Sequence, residues 1–106
     1  MRIIVKNVNE SPMVTEIKGD LEEMQNIVDG HIETYPIGNN VLCVCNDDGK
    51  ILNMPTNFFY VRRGHAERFV GDVFFVSVSG EEFASLSDEQ IDIIMKMFHS
   101  PIEDVT

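Results

Sequence analysis

The stretch HIETYPIGNNVLCVCN, residues 31–46, decides the fold. HIETYPI (31–37) and VLCVCN (41–46) flank the turn residues GNN, which reads as an antiparallel hairpin. VLCVC is apolar at every position, so both faces of that strand need cover, and its place is in the middle of a sheet.

Upstream, RIIVKNV (2–8) and MVTEIK (13–18) are β-rich runs separated by NESP, and they predict a second hairpin. In GDLEEMQNIVDG (19–30) the period changes. Leu21, Met24, Ile27 and Val28 form a helical stripe, Asp20 and Glu23 are spaced as a capping box, and Gly30 is a stop. Downstream, NDDGK reads as a turn and KILNM (50–54) as a returning strand ended by Pro55. Residues 55–68 read as the least regular part of the chain. RFVGDVFFVSVSG (68–80) predicts one long strand in which Gly71 marks a bulge or a close backbone approach. SDEQIDIIMKMF (87–98) predicts a helix capped by Ser87 and Gln90, with Ile91, Ile94, Met95 and Phe98 on its apolar stripe. Ile93 and Met97 lie off that stripe, and HSPIEDVT ends the helix at Pro101. The order β-β-α-β-β-β-β-α predicts a single α+β domain over residues 1–106. It is a mainly antiparallel β-sheet with two helices packed on it, both on one face.

A chain of 106 residues with 43% hydrophobic and 25% charged residues is long enough for one core and reads as globular. No apolar run approaches the roughly 18 residues of a membrane span, and the start lacks the apolar core of a signal peptide. The expected location is cytoplasmic. Cys43 and Cys45 share one face of a strand, poorly placed to bridge each other, and read as reduced thiols. The net charge of −10 argues against binding nucleic-acid backbones, which takes several cations on one face. It suits plain solubility or imitation of nucleic-acid charge.

The fragments IVDGHIETYPI and VCNDDGKILNMPTNFF carry a pattern: a helix ending in IV-x-G, then IE and Pro, then CND-x-GK, then P-x-N. In that order, and with GDVFFV as a last strand, the sequence resembles the family catalogued as domain of unknown function 3846. These are small proteins frequent in bacteriophages, plasmids and gut Firmicutes. The resemblance covers about residues 1–80, leaving residues 81–106, the C-terminal helix and tail, outside it. It implies a cytosolic protein linked to mobile elements and brings no catalytic residue.

The residues themselves show no P-loop, dinucleotide fingerprint or nucleophile elbow. His31, His65 and His99 are dispersed, Cys43 and Cys45 lack evident co-ligands, and no carboxylate is singled out for acid–base work. No catalytic residue, metal or cofactor is expected, and the chain reads as no enzyme. One segment departs from the rest. YVRRGHAERF (60–69) holds three of the four arginines. Arg62, Arg63, His65 and Arg68, with Tyr60 to stack, have the chemistry to hold a small anionic, nucleotide-like ligand. The competing reading is that these arginines pair with the chain's own surface carboxylates. The expected function is a small non-catalytic binding protein that sequesters such a ligand or occupies a host protein. The alternative is an acidic decoy that mimics DNA toward a host DNA-binding or defence protein, with Asp88, Glu89 and Asp92 contributing. The Ile93 and Met97 face leaves room for a homo-oligomer.

Overall fold

A computed structural model describes residues 1–98. The sequence-predicted helix end at Pro101, His99 and the tail lie outside the described residues.

The elements run β1 (Arg2–Lys6), β2 (Met13–Glu16), α1 (Leu21–Val28), β3 (Ile32–Gly38), β4 (Val41–Asn46) and β5 (Thr56–Arg62). They continue with β6 (His65–Val70), β7 (Val73–Ser79), β8 (Glu82–Ala84) and α2 (Asp88–Met97). One antiparallel sheet has the order β2-β1-β7-β4-β3, with β8 pairing the far end of β7. The remaining two strands, β5 and β6, form a separate two-stranded ribbon among the described residues. The α+β class and the mainly antiparallel sheet are as the sequence predicts, and both early hairpins form in register.

β7 is central because VFFVS is buried at every residue. A strand alternates its side chains between faces, so neighbours in the same run serve different cores. Ile3, Val44, Phe74 and Val76 go to one side, where Met24 and Val28 of α1 cover them. Ile4, Cys43, Val73 and Phe75 go to the other, where Ile94 of α2 and Phe69 of β6 cover them. The two helices therefore lie on opposite faces, not on one. The reason is the one VLCVC already shows: strands apolar on both faces need both faces covered.

Three other local readings change. KILNM is not a strand. Residues 49–54 close as turns, with Leu52 N–H donating to Asp48 O and Met54 N–H to Gly49 O. Ile51 and Leu52 stand in solvent. The stretch called irregular holds β5 and most of β6. Its alternation is masked by a register shift between Thr56 and Phe58. RFVGDVFFVSVSG is two strands broken at Gly71, where a Cβ would come within 2.7 Å of Met54 Sδ. The close backbone approach expected there is real.

The helix caps follow the sequence closely. Ser87 and Gln90 complete a reciprocal capping box on α2. On α1, Asp20 Oδ1 accepts from Glu23 N–H, while Glu23 Oε1 accepts from Gly19 N–H, one residue before the cap. The left-handed residue that ends α1 is Asp29 rather than Gly30. Gly30 is needed for space: a Cβ there would sit 2.5 Å from Asn46 Nδ2.

Candidate functional site

The β5–β6 ribbon carries all five residues predicted to hold a small anionic ligand. Arg62 pairs with His65, which leaves Arg63 and Gly64 as a two-residue turn, both at positive φ (52° and 77°). That is the mirror-image turn whose twist matches a two-stranded ribbon. Directly paired residues share a face, so the register sorts the ribbon into two sides. Phe58, Phe69, Tyr60, Glu67, Arg62 and His65 fall on one, and Phe59, Arg68, Val61 and Ala66 on the other.

The first side faces the core. Phe58 stacks on Phe69 at 4.9 Å and meets Phe98, the residue that caps α2, edge-on at 5.0 Å. Tyr60 turns its ring toward Tyr35, and its hydroxyl donates to Ile37 O at 2.7 Å. The ribbon's root is clasped to β1 by Asn57. Its Nδ2 donates to Lys6 O and Gly71 O, both at 2.8 Å, and its Oδ1 accepts from Lys6 Nζ at 2.9 Å. Burial of this Lys6 ammonium lowers its pKa, with nearby Asp72 and Glu10 opposing the shift. A lone Asn after a proline gave only the P-x-N spacing as a signal, and nothing local tells that its partner is Lys6, 51 residues away.

The second side faces solvent. Phe59 is 60% and Val61 65% exposed. Arg68 lies across from Phe59, and its Nη1 donates to Thr56 Oγ1 at 3.0 Å. The sequence-predicted binding residues therefore do not converge. Arg62 and His65 form a cross-strand pair, Arg63 occupies the turn, Arg68 projects from the opposite side, and Tyr60 is committed to the core. Among the described residues no carboxylate lies within 4.0 Å of Arg62, Arg63 or Arg68, so internal ion pairing does not account for the cluster either. The nearest such contact is His65 Nε2 to Glu67 Oε2 at 4.0 Å. Sequence reasoning missed Phe59 and Val61, because residues 55–68 read as irregular until the register shows which side chains turn outward.

Beneath the ribbon, between β6 and the β3–β4 hairpin, is a cleft of about 250 Å³ lined by Glu33, Tyr35, Cys45, Lys50, Glu67 and Phe69 among others. Lys50 Nζ lies 3.4 Å from Glu67 Oε1. Burial, reinforced by Glu33 and Asp47, pushes the Cys45 thiol up to about 11, and burial raises Cys43 as well. Both sulfurs are therefore protonated near neutral pH, and a thiolate is the nucleophilic form. Among the described residues, no three His, Cys, Asp or Glu side chains gather as metal ligands.

Two of the α2 acids are engaged by cations: Asp88 with Arg2 at 3.0 Å, and Asp92 with Lys96 at 2.9 Å. Ile93 is half-buried, and Met97 is exposed. Among the described residues no helix is long and apolar enough to cross a membrane.

The residues behind the family resemblance do identifiable structural work. Asn46 of the CND triplet is buried, and its Nδ2 donates to Val28 O at 3.1 Å and Asp29 O at 3.0 Å, the last carbonyls of α1. Its Oδ1 accepts from Asp48 N–H at 2.7 Å, which shapes the following turn. The IV-x-G and CND pieces thus meet at one joint, with Gly30 making room for it. No curated protein and no solved structure matches the chain. The family described as Domain of unknown function (DUF3846) matches residues 1–99, so the match takes in α2 as well as the sheet, and the chain belongs to that family.

Proposed function

We propose that this is a cytoplasmic, non-catalytic binding protein of phage or mobile-element type, which occupies a host protein through the outer side of the β5–β6 ribbon. The observation that carries the reading is the pair Phe59 and Val61, side by side and mostly exposed, with Arg68 across the ribbon and Arg62 and Arg63 at its tip. Covering two such side chains contributes on the order of 1–3 kcal/mol each. Aromatic and arginine anchors of this kind dominate protein interfaces. The partner's chemistry follows from charge. In a chain of net charge −10, three arginines that have no carboxylate within 4.0 Å among the described residues call for an acidic surface around an apolar centre. A small anion would instead need the cationic heads to converge, and they are spread over two sides and a turn.

The test is copurification of the intact chain from host lysate beside two variants. With Phe59→Asp plus Val61→Asp the partner should be lost. With Asp88→Asn, Glu89→Gln and Asp92→Asn together it should stay. The opposite pattern would install the acidic decoy in place of the ribbon contact. A nucleotide that raises the melting temperature only when Arg62 and Arg63 are present would install the small-ligand reading.

A further inference from the structure

The cleft beneath the ribbon has the opposite charge to the ribbon's tip, and of the outer-side residues Arg68 reaches its rim whereas Phe59 and Val61 do not. Glu33 pairs with Cys45 and Tyr35 with Cys43, so Glu33, Tyr35 and Cys45 share the sheet face that β6 covers. β6 closes the space with Glu67 and Phe69, and Tyr35 meets Phe69 edge-to-face at 5.2 Å. The floor is therefore two aromatic rings and a half-buried sulfur. Ile51, 84% exposed, stands at the lip.

The lining carboxylates are Glu33, Asp47 and Glu67, and the lining cations are Lys50 and Arg68. Lys50 is taken by Glu67 at 3.4 Å, and the Arg68 guanidinium is turned to Thr56. Among the described residues neither Glu33 nor Asp47 has a cation within 4.0 Å. Both act on the Cys45 sulfur, which places their charge at the cleft and not merely somewhere on the surface. With the thiol protonated, the floor adds no charge of its own. Size decides the rest. About 250 Å³ lies below the ~300–1,000 Å³ of drug-sized pockets, so it suits a single ring or short chain and not a nucleotide.

We propose that this cleft binds a small organic cation, a primary ammonium or guanidinium group held by Glu33 and Asp47 with its apolar body against Tyr35, Phe69 and Ile51. The cation approaches an electron-rich aromatic wall as well as the carboxylates, and both attractions favour the same charge. A free amine and a basic side chain of a partner offer this same chemistry.

The experiment follows amide NMR shifts of the full chain during titration with phenethylammonium, with phenylacetate as the anion of nearly the same shape. Phenethylammonium should give saturable shifts at Glu33, Cys45 and Glu67, and phenylacetate none. Glu33→Gln and Ile51→Lys, both at exposed positions, should each weaken binding several-fold while the rest of the spectrum stays in place. Equal binding of N-α-acetyl-lysinamide points to a side chain as the natural occupant, and binding of phenethylammonium alone to a free amine. Shifts of equal size with phenylacetate, no saturation, or indifference to both variants would overturn the site. Phe59→Asp should leave the titration unchanged, so this site and the ribbon contact stand or fall separately.

Discussion

The β3–β4 and β5–β6 hairpins use the same turn and end in opposite surroundings. Asn39 and Asn40 turn the first, at φ 56° and 58°, and Arg63 and Gly64 turn the second, at 52° and 77°. β4 is enclosed by β3 and β7 and is apolar on both faces. Among the described residues the ribbon has no third strand, so its Phe58, Tyr60 and Phe69 side is anchored while Phe59 and Val61 remain in water. A strand inserted in a sheet spends both faces on stability. A ribbon laid over one leaves its other side exposed.

The sharpest way to break that contrast is to delete one phenyl ring from each environment. Phe75→Ala removes a fully buried ring next to Phe58 and Phe98, and it should cost about 3–5 kcal/mol in urea unfolding. Phe59→Ala should change stability by no more than about 0.5 kcal/mol. Similar losses in the two variants would mean that Phe59 is not on a solvent-facing side. Next in size is Asn46→Ala. It strips two acceptor bonds from the end of α1 and one donor bond from the turn, for a loss of about 1–3 kcal/mol by thermal melting. The β3–β4 side of the molecule depends on this joint, and the ribbon contact should survive its weakening.

The thiols of β4 give a pH signature. The Cys45 pKa is raised by burial from an ordinary 9.0 to about 11, so the folded chain holds a proton that the unfolded chain releases over that interval. Stability from this group is complete below pH ~9 and declines as pH rises toward ~11, and Cys45→Ala should flatten part of the decline. Denaturant melts across that range check the sign. A smaller effect, of the other sign, belongs to the ribbon turn. Arg63 holds a left-handed conformation that Asn39 and Asn40 accept readily in the other hairpin. Arg63→Asn should therefore stabilise by roughly 0.5 kcal/mol, part of the ~1–2 kcal/mol a side chain loses there. The smallest is Asp88→Asn. Its pair with Arg2 is at the surface, and the melting curve should move by less than about 0.5 kcal/mol equivalent.

Local chemistry was enough to read the caps of both helices, the two early hairpins, the central burial of β4 and the α+β class. Each depends on residues within a few positions of one another, or on apolar side chains at a fixed period. Ser87 and Gln90 could be assigned as a pair because they are three residues apart and their bonds close on themselves. The cationic segment was equally legible as composition. Its arrangement was not, because which side each arginine takes depends on a register shift between Thr56 and Phe58 that composition does not encode.

Only the tertiary structure decided that the helices take opposite faces, that FFYV splits between core and solvent, and that an acid-lined cleft opens under a basic ribbon. Those outcomes join Asn57 to Lys6, Tyr60 to Ile37 and Glu67 to Lys50 across long separations. The physical reason is that short-range sequence sets what each segment can bury, whereas the choice among partners is made by the sum of packing once every segment is in place.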